Sequence, residues 1–196
     1  PRHVVAVSRD GQQMVYVSSA GLQLRSISNL DVRTIRGTEA LGPVTTPVFS
    51  PTNDAIAFWT PLDRTIKRIP VAGGEAVTIV AADDPYGMSW DGDFLLFGQG
   101  AKGIMRVRAG SGRPELLASA GNGEEAHGPQ MLPGGDLLLF TLASGTGEDR
   151  WDNASIVVQS LSSGTRTVVM TGGSDARYVP TAHLLYGRSD TTFGGS

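Results

Sequence analysis

The sequence predicts an all-β protein, a β-propeller of four-stranded antiparallel blades with about four and a half blades in an incomplete ring. Three observations carry this prediction. A short apolar strand with an aromatic residue recurs along the chain, a turn precedes each copy, and further short strands flank it. The recurring aromatic residues are spaced 42, 39, 43 and 46 positions apart; they are Tyr16, Phe58, Phe97, Phe140 and Tyr186. Four strands in about forty residues is the period of a propeller blade.

The turns before the aromatic strands are mostly pairs of residues that tolerate a positive φ. These pairs are Asp10-Gly11, Asn53-Asp54, Asp91-Gly92, Gly134-Gly135 and Thr181-Ala182. A short strand is predicted before each turn, at 4–8, 47–50, 87–90, 129–132 and 176–179. A β-sandwich with coincidental spacing is the alternative, but it does not explain why turn, aromatic residue and strand order recur together.

The repeats place the blades at about 3–42, 43–82, 83–124 and 125–172, followed by a half blade at 173–190. The fifth unit stops after two strands, which indicates a truncated propeller. A half blade leaves an unpaired strand edge, and such edges favour association. We therefore expect a homo-oligomer, a dimer in which a second copy of the chain covers the open edge.

Composition narrows the function classes. The 196 residues are 40% hydrophobic and carry a formal net charge of −3, so no basic excess points to a nucleic-acid partner. There is no cysteine, which rules out disulfides, thiolate metal sites and a cysteine nucleophile. No apolar run approaches the roughly 20 residues that span a bilayer, so we expect no membrane contact by this segment.

Several stretches resemble the repeat of TolB-like, WD-repeat-like propellers, in which a Ser-Pro-Asp-Gly turn precedes an aromatic strand. They are Ser8-Arg9-Asp10-Gly11, Ser50-Pro51-Thr52-Asn53 and Leu132-Pro133-Gly134-Gly135. With the segments 24–27, 129–135, 172–180 and 183–186, the chain looks like the C-terminal propeller of bacterial eukaryotic-like serine/threonine protein kinases. The resemblance implies a sensor or protein-interaction domain placed outside the cytoplasm. The chain contains no kinase motif, so kinase activity is not implied.

Polar side chains are predicted to lie together at one end of the inner strands. Alignment by the turns gives one shared position to His3, Thr45, Pro85, His127 and Ser174, and the next to Val4, Thr46, Tyr86, Gly128 and Asp175. We take His3, Asp84, His127 and Asp175 as candidate ligands of a divalent metal. Carboxylates alone favour calcium, whereas added imidazoles favour zinc or another transition metal. The alternative is that these are polar loop residues that face water.

The longest loop on this face, 143–153, carries a tryptophan between charged residues. Glu148, Arg150 and Trp151, together with Tyr86, are the candidate binding residues. An accessible tryptophan suits contact with a ligand or partner. The competing interpretation is that Trp151 packs back onto the blade edge.

Two functions follow from these features. The first is a non-catalytic sensor or protein- or ligand-binding module of a bacterial signalling protein, which self-associates through its open edge. The second is a metal-dependent hydrolase of ester, lactone or phosphotriester substrates, resembling the propeller hydrolases paraoxonase and gluconolactonase. In that case a metal would polarise the scissile group, and His127 would act as a ligand or general base. The serine-hydrolase elbow, the P-loop and the His-Glu-x-x-His motif are absent from the sequence.

Overall fold

A computed structural model describes residues 3–29, 31–145, 147–179 and 181–187. Within these ranges the chain forms four four-stranded antiparallel sheets and one two-stranded sheet. The predicted fold class, a propeller with four-stranded blades and an incomplete ring, is confirmed. The described residues form no α-helix, and therefore none with the length and apolar character needed to cross a membrane.

Each blade is a meander whose strands pair in chain order. The first blade contains β1 (Val5–Val7), β2 (Gln13–Ser18), β3 (Gly21–Ser26) and β4 (Val32–Thr34). The second contains β5 (Thr45–Phe49), β6 (Ala55–Thr60), β7 (Thr65–Pro70) and β8 (Val77–Ala81). The third contains β9 (Met88–Asp91), β10 (Phe94–Gly98), β11 (Ile104–Arg108) and β12 (Glu115–Ala118). The fourth contains β13 (Glu124–Met131), β14 (Leu137–Ser144), β15 (Ser155–Ser160) and β16 (Arg166–Thr171), and the half blade contains β17 (Ser174–Val179) and β18 (His183–Gly187).

The hairpins after the inner strands follow the turn chemistry of the sequence. In the first two blades a serine closes the turn, because Ser8 and Ser50 accept backbone N–H groups through their hydroxyl oxygens. The third hairpin is tighter, since Asp91 pairs directly with Phe94 across two residues. Gly92 in that turn has φ +50°, which a glycine adopts without strain. Because this turn is shorter, equivalent positions of the inner strand fall one residue later in the third blade than an alignment by the turns predicts.

Four hydrophobic clusters lie between consecutive blades and hold the ring together. The repeated aromatic residues Phe58, Phe97 and Phe140 are fully buried in three of these clusters. Each such side chain stabilises the fold by about 1.5–3 kcal/mol relative to an exposed one. The terminal members of the series are less covered: Tyr16 is half-buried, and Tyr186 is 40% exposed.

The inner strands β1, β5, β9, β13 and β17 lie side by side around the central channel. Close to the start of four of them, the backbone turns through a residue with positive φ: Thr46, Gly87, Gly128 and Asp175. The register of the inner pair shifts at this point in the second, fourth and fifth units. This repeated bulge directs side chains from several blades toward one end of the channel.

Candidate functional site

Three residues from three blades converge at the end of the channel where the inner strands begin. His3 lies just before β1, His127 in β13 and Asp175 in β17. One ligand atom from each of these residues lies within 4.8 Å of the other two. We call this end the channel mouth and the three residues the His-His-Asp cluster. Sequence alignment of the repeats had predicted that His3, His127 and Asp175 lie together there.

Asp175 is the centre of the cluster. Its Oδ2 atom is hydrogen-bonded to Nε2 of His3, and its Oδ1 atom lies 3.1 Å from Nη2 of Arg177 and 3.9 Å from Nδ1 of His127. Its backbone has φ +55°, and its N–H donates to the Thr141 hydroxyl at 3.0 Å. Burial raises the pKa of the Asp175 carboxyl, but the His3 hydrogen bond and the Arg177 charge outweigh burial and hold the pKa well below its usual range. Asp175 is therefore a carboxylate at neutral pH.

His127 is fully buried, although it is a titratable residue. Among the described residues neither of its ring nitrogens has a hydrogen-bond partner, and Oδ1 of Asp175 also lacks one despite its closeness to Arg177. Burial lowers the pKa of His127 to about 4, and the nearby Asp175 charge only partly opposes this effect. The imidazole is thus neutral at pH 7, and its Nδ1 atom lies 3.9 Å from Oδ1 of Asp175.

Glycine at position 128 makes room for the carboxylate. Gly128 has φ +60°, and a Cβ atom there would lie 2.8 Å from Oδ1 of Asp175. The Gly128 carbonyl accepts a hydrogen bond from Nη1 of Arg177 at 2.9 Å. The same backbone segment therefore leaves space for Asp175 and anchors the arginine beside it.

Aromatic rings cover the cluster on one side. The Trp151 ring lies 5.0 Å from the His127 ring and 6.0 Å from the Tyr86 ring, measured between centroids. The rings of Tyr86 and His127 are 6.5 Å apart, and His3 meets His127 edge-on at 6.0 Å. Trp151 ends the 3-10 turn Glu148–Trp151 between β14 and β15. Trp151 and Tyr86 are both half-buried, so the tryptophan packs onto the channel mouth and keeps part of its surface in solvent.

An arginine and a glutamate extend the polar side of the mouth. Nη2 of Arg150 lies 3.1 Å from Oε2 of Glu125, and the guanidinium lies 5.2 Å from the Trp151 ring centroid. Nε of Arg150 is buried and has no hydrogen-bond partner among the described residues.

Other predicted residues lie elsewhere. Asp84 is half-buried with φ +50° and is not part of the His-His-Asp cluster. Glu148 begins the 3-10 turn, and its side chain lies outside what the structure describes. Tyr86, rather than the predicted Pro85, occupies the position of His127 in the third blade, because Tyr86 pairs with Gly98 as His127 pairs with Thr141.

Sequence reasoning did not select Arg177 or Thr141. Arg177 follows Asp175 by two residues on β17, and this spacing places both side chains on the same face of the strand. Thr141 pairs with His127 across β13 and β14. Both could have been found from strand period and hairpin register once the inner strands had been aligned.

The other end of the channel opens into a cavity of about 790 Å³. Residues of all five inner strands line it, among them Trp90, Gln130, Arg177 and Tyr178. Its volume is within the range of small-molecule sites, roughly 300–1,000 Å³. Arg177 borders the cavity and also contacts Asp175, so it lies between the cavity and the channel mouth.

Comparison with solved structures shows the propeller fold. The chain is similar to TolB from Acinetobacter baumannii, with a TM-score of 0.75 and 16% identity over 97% of this chain and 49% of that one. It is similar to an oligogalacturonate lyase in complex with manganese, with a TM-score of 0.67 and 12% identity over 95% of this chain and 58% of that one. The Cps50 (Swd1) propeller of Myceliophteria thermophila matches with a TM-score of 0.69 and 13% identity over 96% of this chain and 64% of that one.

The chain therefore spans less than two thirds of the length of each of these structures. No protein-family model matches it, and no curated protein matches it in sequence. At these identities the likeness extends to the β-propeller fold alone.

Proposed function

We propose that this chain is a non-catalytic binding module that holds a ligand or partner protein at the channel mouth. The observation that carries the proposal is the half-buried Trp151, which lies against the rings of His127 and Tyr86 where the inner strands begin. Aromatic side chains that lie beside a strand framework and are partly open to solvent are typical of binding sites.

The polar groups beside the aromatic rings indicate the chemistry of the ligand. The Arg150 guanidinium is half-buried, and the Trp151 ring beside it offers a flat apolar face. A planar group that carries a carboxylate satisfies both features, because the ring stacks while the carboxylate accepts from the guanidinium. We therefore expect an aromatic carboxylate, free or presented by a protein, to be recognised.

The proposed context is the sensor or interaction part of a bacterial signalling protein outside the cytoplasm, as the resemblance to kinase C-terminal propellers implies. We further propose that the module self-associates through its open edge. Exposed apolar side chains on the first blade and on the half blade support this: Val5 and Val7 on β1, and Leu185 on β18. Unpartnered strand edges beside exposed apolar residues favour pairing between chains.

A titration followed by NMR tests the binding proposal, with benzoate and 4-hydroxybenzoate as probes. We expect a saturable shift of the Trp151 indole signal that Arg150→Met abolishes. Arg106→Met is the matched control, since Arg106 lies over the Phe94 ring in the third blade and pairs with Glu115. Shifts that spare Trp151, or that persist unchanged in Arg150→Met, would contradict the proposal.

A metal-dependent hydrolase is the second candidate, and the His-His-Asp cluster favours it. A divalent metal held by two imidazoles and one carboxylate would keep open positions, through which it could polarise a carbonyl or phosphoryl oxygen. One structure with a similar fold, the oligogalacturonate lyase, is in complex with manganese.

Hydrolysis of p-nitrophenyl acetate and paraoxon, measured with and without added Zn²⁺, tests this candidate. His127→Ala should abolish any metal-dependent rate. His183→Ala should leave it intact, because His183 is exposed and hydrogen-bonded to Thr181 at the opposite end of the half blade. The absence of metal-dependent turnover in the wild-type chain would reject the hydrolase.

A further inference from the structure

We propose that His3, His127 and Asp175 form a divalent transition-metal site that fastens the first blade to the half blade. The inference rests on the same cluster as the second candidate function, but it requires no catalysis. A metal held by three blades would serve as a clasp for a ring whose two ends share no sheet within the described residues.

The cluster has the dimensions of a site that closes around an ion. Its three ligand atoms lie within 4.8 Å of one another, and Nδ1 of His127 lies 3.9 Å from Oδ1 of Asp175. Metal–ligand distances of about 2.0–2.2 Å require ligand atoms roughly 3–3.5 Å apart. Small rotations of the half-buried His3 and Asp175 side chains would set this spacing, because Nε2 of His3 is already hydrogen-bonded to Oδ2 of Asp175 and Nδ1 of His127 lies slightly too far from Oδ1.

Burial supplies a second, independent argument. A fully buried imidazole with two unpartnered nitrogens destabilises a fold, because both nitrogens have lost their hydrogen bonds to water without a replacement among the described residues. A metal bond to one nitrogen removes part of that cost. Oδ1 of Asp175, which faces the same imidazole, also lacks a hydrogen bond among the described residues. The imidazole nitrogens of His127 have no partner in the described part of the chain, and a cation shared with Asp175 would satisfy one of them.

The donor set selects the class of metal. Two imidazoles and one carboxylate suit Zn²⁺, Co²⁺ or Fe²⁺ and leave positions open, whereas Ca²⁺ prefers six to eight oxygen ligands. Arg177 lies 3.1 Å from Oδ1 of Asp175 and places a positive charge beside the ion. That charge weakens cation binding while it fixes the carboxylate, so we expect micromolar rather than nanomolar affinity.

The location of the ligands gives the metal its mechanical role. His3 belongs to the first blade, His127 to the fourth and Asp175 to the half blade. The hydrogen bond between His3 and Asp175 already joins the two ends of the described propeller. A metal that takes both side chains as ligands would replace this single bond with two coordinate bonds and add His127 as a third anchor.

Calorimetry with ZnCl₂ and visible absorption with CoCl₂ test whether the ion binds. We expect one ion per chain in the wild type and in His183→Ala, and an affinity at least tenfold weaker in His3→Ala and His127→Ala, with CaCl₂ giving no saturable binding. His3 is half-buried, so its variant remains informative if His127→Ala does not fold. Wild-type affinity in both ligand variants, or no saturable Zn²⁺ binding, would overturn the site.

Hydrogen exchange of the same samples tests the clasp. Zn²⁺ should increase protection in β1 and in the hairpin 174–187 of the wild type, and His3→Ala should lose the protection of the hairpin even though His3 lies in another blade. Zn²⁺ binding without protection of the hairpin would refute the clasp and leave the hydrolase candidate standing. Protection of the hairpin by Zn²⁺ without any esterase activity would reject the hydrolase candidate but not the clasp.

Discussion

Replacement of His127 by leucine should stabilise the metal-free protein, which is the opposite of most substitutions in a core. The imidazole is fully buried, and its two nitrogens have no hydrogen-bond partner among the described residues. Removal of such groups recovers about 1–3 kcal/mol of desolvation cost. Loss of the ring contact with Trp151, whose centroid is 5.0 Å away, costs about 0.5–1.5 kcal/mol. We expect a net gain of about 1 kcal/mol in the free energy of unfolding for His127→Leu.

Thr141→Val is the matched control, because Thr141 pairs with His127 across the hairpin and is equally buried. Its hydroxyl accepts the backbone N–H of Asp175 at 3.0 Å, so valine would leave that N–H without its partner and cost about 1–3 kcal/mol. Urea denaturation in EDTA should therefore move the two variants in opposite directions. With Zn²⁺ at 100 times its Kd, the wild type should gain about 2.7 kcal/mol and His127→Leu nothing. Destabilisation of His127→Leu by more than about 1 kcal/mol in EDTA would refute the reasoning.

Three further predictions concern the backbone, acid stability and assembly. Gly128→Ala should lower the free energy of unfolding by about 1–3 kcal/mol, because φ is +60° and the new Cβ would meet Asp175. Urea denaturation measures this difference, and an unchanged stability would contradict the close approach of the two residues. Burial raises the pKa of Asp63, but its hydrogen bond with Lys67 and neighbouring hydroxyls outweigh burial and hold the pKa below its ordinary value. Its stabilisation is present above the unfolded pKa of about 3.9 and is lost as the pH falls, so melting temperatures of the wild type and Asp63→Asn should converge between about pH 5 and 2. Light scattering should show a dimer for the wild type and a monomer for Leu185→Lys, since Leu185 is 60% exposed on β18. A monomeric wild type would contradict self-association.

The propeller could be predicted because its determinants are local and repeated. Turn residues with positive φ set each hairpin, and the aromatic residue that follows is buried against a neighbouring blade at Phe58, Phe97 and Phe140. Because the pattern repeats, each unit independently indicates the same order of turn, aromatic residue and strand. The error occurred where one unit departs from the pattern: the two-residue turn between Asp91 and Phe94 shifts the third blade, so Tyr86 replaces Pro85 at the shared position.

The site was only partly predictable, because its members depend on which side chains reach across the channel. Alignment of the repeats brings His3 and His127 to one shared position and Asp175 to the next, since it counts residues from equivalent turns. It does not determine the direction of a loop residue such as Asp84, which lies outside the cluster. Nor does it show that Trp151, the ninth residue of the loop 143–153, lies against His127.

The cluster also depends on the complete order of the blades. His3 and Asp175 are 172 residues apart in sequence, and they meet only when every blade between them has packed against its neighbour. Closure of so long a loop carries an entropic cost that one partly buried hydrogen bond offsets poorly. The inter-blade clusters around Phe58, Phe97 and Phe140 must therefore bring the two ends together before the channel mouth exists. It follows that core substitutions far from the mouth should weaken metal binding in proportion to how far they loosen the ring, whereas substitutions at the mouth should weaken it without loosening the blades.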